Sequence, residues 1–166
     1  MSTPNEFLQE LTKESVITRK TLERVPADKD DWRPHEKSRT IKELATHIAE
    51  LPFYIIMALT TDEFDLQANA NEPPVINNNE DLLNMFDNAI AAAKAQLEAA
   101  NEKDLLPTWS LKNGGEVQIS LSRGGLLRYA LNEMIHHRAQ LGVYFRLLDI
   151  PVPRTYGPTA DEPGYL

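Results

Sequence analysis

The sequence predicts an all-α fold, a four-helix bundle with a long crossover loop and a small β-hairpin before the last helix. Three observations carry this expectation. Apolar residues recur at helical spacing through four separate segments. Capping residues and prolines bracket those segments. Period-two alternation occurs in one short stretch, around an Asn-Gly-Gly turn signal.

The first helix is expected from about Asn5 to Arg24, with Phe7, Leu8, Leu11, Ile17 and Leu22 as its apolar positions and Pro26 soon after its end. The loop to about Arg39 carries Trp32-Arg33-Pro34-His35. The second helix opens on a capping box, Thr40-Ile41-Lys42-Glu43, and is expected to run through His47 to about Thr60, kinked at Pro52. Thr61 to Asn79 is polar, with Pro73-Pro74 and an Asn run, and reads as a connection or a lid without secondary structure. The third helix, about Glu80 to Asn101, is rich in alanine, which favours helix and close packing. Trp109 to Leu121 reads as a hairpin turning at Asn113-Gly114-Gly115. The fourth helix follows Gly124-Gly125 and runs to about Leu148, ended by Pro151 and Pro153. The tail from Arg154 is turn-rich and is expected to lie over the bundle surface.

The 166 residues suit one domain spanning residues 1–166. The chain has no cysteine, so it offers no disulfide, thiolate ligand or cysteine nucleophile; this fits a reducing compartment. The formal net charge of -8 and the lack of a basic run argue against nucleic acid as a partner. No apolar stretch is long enough to cross a membrane. The segment Met1 to Glu10 lacks the basic and apolar regions of a signal peptide, so a cytoplasmic location is expected.

A helical wheel locates the chemistry. With His137 as zero, Leu126 and Tyr144 fall at about -20°, Ala130 and Leu148 at about +20°, Leu141 at about +40°, and Glu133 at about -40°. With His47 as zero on the second helix, Tyr54 falls at about -20°, Ala58 at about +20° and Leu51 at about +40°. Both histidines are thus expected at the centre of an apolar face. A carboxylate that joins them must be paired, protonated or bound to metal. Glu133 and His137, four apart, can chelate one ion, and His47 completes a set of two imidazoles and a carboxylate with positions left open. Taken one at a time, each residue has a plainer reading: a hydrogen-bonded core histidine, or an ion pair of Glu133 with Arg138 or a lysine elsewhere. The Glu133-x-x-His136 spacing, with Glu43 and Glu50 on the second helix, leaves a two-metal site open. Glu50, Tyr54, His136 and Tyr144 are the candidates for supporting the ligands or touching substrate; for the tyrosines, packing is the commoner role. No serine lies in a nucleophile-elbow context.

The segments Leu131 to Leu141, Tyr144 to Pro153 and Tyr156 to Glu162 closely resemble the C-terminal signature of DinB-like proteins. Trp32-Arg-Pro-His35, Ile41 to His47 and the Trp109 to Arg123 hairpin are similar to the same family, so the resemblance covers most of the chain. It implies a four-helix bundle, often dimeric, holding a divalent ion (Zn, Fe, Ni or Mn) on three histidines. The first and third ligands match His47 and His137. The second falls on Glu133, a departure that implies either a carboxylate ligand or a lost metal site. Relatives with this fold include thiol-dependent S-transferases, which implies a metal-dependent transferase or hydrolase with a small-molecule substrate and a low-molecular-weight thiol. The alternative is a non-catalytic bundle with a vacant site, serving as a small-ligand-binding or stress-response homodimer.

Overall fold

A computed structural model describes residues 3–69 and 74–164. Pro73 of the expected connection, Met1, and the end of the tail lie outside the described residues. The protein is mostly helical, with one small sheet. The helices are α1 (Pro4–Leu22), α2 (Ile41–Glu50), α3 (Pro52–Thr60), α4 (Asn79–Ala99) and α5 (Arg123–Leu147). The strands are β1 (Glu63–Asp65), β2 (Thr108–Asn113) and β3 (Glu116–Ser122).

Local chemistry sets the boundaries. Thr3 caps α1 in a reciprocal box with Glu6, and Pro4 takes the first helical position, where its missing N–H costs nothing. The Thr40 and Glu43 box opens α2 as expected, with Glu43 Oε2 accepting from Thr40 N at 2.7 Å. The Asn78 side chain caps α4 and the Ser122 side chain caps α5. Gly124 and Gly125 therefore lie inside the first turn of α5 rather than before it.

Helix two departs from expectation. It is two helices, broken at Leu51, because Pro52 donates no hydrogen bond and starts α3. The connection after α3 also carries an unexpected element. Glu63–Asp65 pairs in parallel with Ser110–Lys112 and gives the sheet order β1-β2-β3. Three residues give too short a pattern to read. The strand is fixed instead by Asp65, whose carboxylate accepts from the backbone N–H groups of Gln67, Ala68, Gly114 and Gly115. The hairpin turn itself is the expected one, with Gly114 and Gly115 at φ 62° and 85°.

α1 packs on α4 and α5, and α2 and α3 each pack on the same two helices. Their shared core includes Leu11, Leu22, Ile41, Leu44, Ile48, Phe86, Leu97, Leu127, Leu131 and Phe145. Trp109 is buried and donates from Nε1 to Thr61 Oγ1. The tail crosses α5 and is tied to it and to α1. Tyr156 reaches Arg138 and Glu14, Asp161 pairs with Arg146, and Glu162 with Arg24. Among the described residues, no helix is long and apolar enough to cross a membrane.

Candidate metal centre

Three side chains from two helices meet at the rim of the core. His47 comes from α2, and Glu133 and His137 lie one turn apart on α5. Each offers a donor atom, and these atoms lie within 4.8 Å of one another. The rings of His47 and His137 are 4.7 Å apart between centroids, at 75° to each other. His137 Nε2 lies 3.1 Å from Glu133 Oε2.

The cluster is half-buried, not central as the wheels imply: the side chains keep 18% (His47), 28% (Glu133) and 13% (His137) of their exposure. Tyr54 and Ala58, which made His47 look central, belong to α3, across the break at Leu51. On α2 alone, the buried face runs through Ile41, Leu44, Ala45 and Ile48, and His47 flanks it. On α5 the buried face runs through Leu127, Ala130, Met134, Leu141 and Phe145, again with His137 to one side. A rim position is chemically useful, because it leaves a path for water or ligand to the donor atoms.

The surroundings orient the donors. Gln140 Oε1 lies 2.9 Å from His137 Nδ1, while Gln140 Nε2 lies 3.0 Å from His136 Nε2. With the amide donating to His136, its oxygen accepts the Nδ1 proton of His137 and leaves Nε2 facing the cluster. Glu50 Oε2 stands 4.0 Å from His47 Nδ1, too far for a hydrogen bond. His136 is exposed, its ring 5.0 Å from that of His137, so it acts on the cluster through Gln140. Tyr54 is half-buried and near enough to feel Glu133 and Glu50. Tyr144 is committed elsewhere: its hydroxyl donates to the Arg39 carbonyl oxygen at 3.2 Å, and the Trp32 ring packs against its ring edge-on. Glu43 stays with its cap. Arg138, a candidate partner of Glu133 in the sequence, is buried and paired with Glu14 instead.

Three neighbours escaped the sequence reading. Gln140 was findable: it is three residues after His137 and four after His136, on the same helical rows. Tyr129, one turn before Glu133, carried the same signal. Arg39 did not, because it sits in a loop with no periodicity.

Replacing Gln140 with alanine should weaken metal affinity about 10–100-fold, the usual effect of removing a group that orients a ligating imidazole. Competition against a chromophoric chelator measures this; unchanged affinity would remove Gln140 from the site.

Burial, then the charges of Arg39 and His137, lower the His47 pKa from its ordinary 6.5 to about 4. Its imidazole is therefore neutral and able to ligate at neutral pH. In the unfolded chain it protonates near 6.5 and in the folded chain near 4, so the unfolded state binds more protons between those values. The contribution of neutral His47 to stability is complete above 6.5 and is lost as pH falls toward 4. Urea midpoints in the presence of chelator should fall over this window in the wild type and fall less in His47→Gln. Parallel curves would contradict the placement of His47.

The DinB family's sequence profile matches residues 1–164. Among solved structures, a DinB-like protein of Bacillus cereus is 22% identical, covers 93% of this chain and 98% of its own, and superposes with a TM-score of 0.71. A DinB-like protein of Bacillus subtilis is 19% identical, with coverages of 90% and 96% and a TM-score of 0.68. No curated protein matches the sequence. At these identities the structures speak for the fold, and the profile, spanning nearly the whole sequence, speaks for the family: the chain belongs to the DinB family.

Proposed function

We propose that this chain is a divalent-metal-dependent enzyme acting on a small molecule, built as one four-helix-bundle domain, with His47, Glu133 and His137 as metal ligands. The observation that supports it is the convergence of three donor atoms within 4.8 Å at a half-buried rim. Two imidazoles and a carboxylate with open positions suit Zn, Fe, Ni or Mn. Bound there, such an ion supplies Lewis acidity that lowers the pKa of a thiol or water beside it.

The chain's own residues have separable tasks. Gln140 holds His137 in the ligating tautomer. Glu50, its carboxyl pushed up by burial against the opposing pull of Arg39, stands beside His47 Nδ1. Burial, with Tyr129, Glu50 and Glu133 nearby, pushes the Tyr54 phenol up, so it stays protonated and can donate a hydrogen bond to substrate. Either a thiol S-transferase or a hydrolase fits this arrangement. The reading extends to a homodimer in the cytoplasm, taken from the family resemblance and the composition; light scattering reads the dimer.

Elemental analysis of purified protein tests the ligand set. The wild type should hold about one metal per chain, and a His47→Ala, His137→Ala double variant should hold none. Equal content in both would sink the proposal. One observation favours a second reading, a non-catalytic bundle. With His137 carrying a proton on Nε2, in place of the ligating tautomer, the ring donates to Glu133 across 3.1 Å and partners the carboxylate by itself.

A further inference from the structure

We propose that Arg39 binds a carboxylate of the substrate, so that the site takes a small anionic molecule. This rests on the metal-centre reading for the identity of the neighbouring cluster.

Arg39 stands apart from most of the arginines; Arg33, also without a carboxylate, donates to the Glu36 carbonyl oxygen. Arg19, Arg24, Arg123, Arg128, Arg138 and Arg146 each pair with a carboxylate within the fold. Among the described residues, no carboxylate forms an ion pair with Arg39. Its side chain is exposed, but its backbone is anchored. The carbonyl accepts from Tyr144, and the next residue, Thr40, is locked into the α2 capping box. The fixed backbone tethers the free guanidinium beside the groove, so engaging an anion costs side-chain rotamer entropy but no ordering of the loop.

Its position is set by what shares its surroundings. Arg39 lines a groove of about 320 Å³ with Ser38, Gln140, Val143 and Tyr144. Gln140 also bonds His137 Nδ1, so the groove and the ligand cluster share a wall. The Arg39 charge reaches His47, Glu50 and Tyr54. An anion in the groove would therefore touch the guanidinium at one end and present its other end to the cluster.

Charge and shape select the ligand class. Glu133 and Glu50 together offset a divalent ion, and Arg39 then leaves the site net positive, which an anion complements. A guanidinium fork matches a carboxylate bidentately. A phosphate dianion would call for further cations or backbone N–H groups, and the groove residues supply neither beyond Arg39. The binding energy gained there would hold the reacting carbon against the metal centre.

Titration calorimetry of succinate into the zinc-loaded full chain tests this, with Arg39→Ala and Arg39→Lys alongside. Succinate should bind the alanine variant at least about tenfold more weakly, with partial recovery in the lysine variant. Zinc content should be the same in all three. Equal affinity in wild type and Arg39→Ala overturns the proposal, as does no wild-type binding up to about 50 mM. Tighter binding of inorganic phosphate than of succinate overturns the carboxylate assignment. The zinc measurement separates the two readings. A wild type that takes up no zinc sinks the metal centre, while the Arg39 effect is still read from the succinate ratio in that same protein.

Discussion

Replacing Arg138 with alanine is expected to cost about 3–5 kcal/mol of folding stability, the usual loss when one partner of a buried ion pair is removed. Arg138 is 3% exposed and Glu14, its partner on α1, is 6% exposed. Arg138 Nη1 donates to Glu14 Oε2 at 2.6 Å and to Thr18 Oγ1 at 2.9 Å. Nη2 donates to the Tyr156 hydroxyl, which in turn donates to Glu14 Oε1. Without the guanidinium, the carboxylate keeps one phenol donor and no counter-charge in a place water does not reach. For a chain of this length the loss corresponds to a fall of roughly 10 °C in Tm. A paired Glu14→Leu, Arg138→Met variant should recover most of it, because two apolar side chains leave no uncompensated charge. Urea unfolding of both variants decides. A single variant within about 0.5 kcal/mol of wild type would show that the pair is better solvated than its burial implies.

The placement of Arg138 bears on the metal centre as well. It directly follows His137, so the two side chains leave α5 about 100° apart. One enters the buried pair with α1 while the other faces α2. The pair thereby fixes the rotation of α5 about its axis, and through it the direction of Glu133 and His137. The tail contributes through Tyr156, which links residues far apart in the chain at this one point.

What the sequence disclosed follows from which signals are local. The capping box at Thr40 depends on residues three apart and places the start of α2 within a residue, whereas the Ser122 cap went unread and α5 begins ahead of Gly124. The Gly114-Gly115 turn announces β2 and β3 in the same way. β1 was silent, because its partner strand lies more than forty residues away and its anchor is a single aspartate. The kink at Pro52 was legible, but not that it separates two helices. His47 and His137 looked central on their wheels, and each flanks the buried face of its helix. Arg138 illustrates the same limit: a wheel shows direction, and only the packed fold shows that its partner is Glu14 of α1 rather than Glu133.

Glu133→His is the substitution with the greatest power over the metal reading. In the wild type, the carboxylate supplies a hard oxygen donor and a negative charge; histidine there would give three neutral imidazoles. If Glu133 ligates, both proteins bind metal, but their preferences diverge. Hard ions such as Mn(II) should lose at least about tenfold in affinity on going to histidine, whereas Zn(II), which takes nitrogen and oxygen alike, should change little. Glu133→Gln removes the charge and nearly keeps the shape, so it should weaken both ions. The Mn-to-Zn ratio of dissociation constants is therefore the informative quantity, because it cancels any general loosening of the fold. Binding that appears only in Glu133→His would mean that Glu133 serves its contact with His137 and nothing more, which is the non-catalytic reading. The expected order follows from geometry: Glu133 Oε2 already lies on the Nε2 side of His137, and the opposite nitrogen is occupied by Gln140. The carboxylate thus meets the ring nitrogen that Gln140 leaves open, so the two donors of α5 lie side by side within reach of a His47 nitrogen.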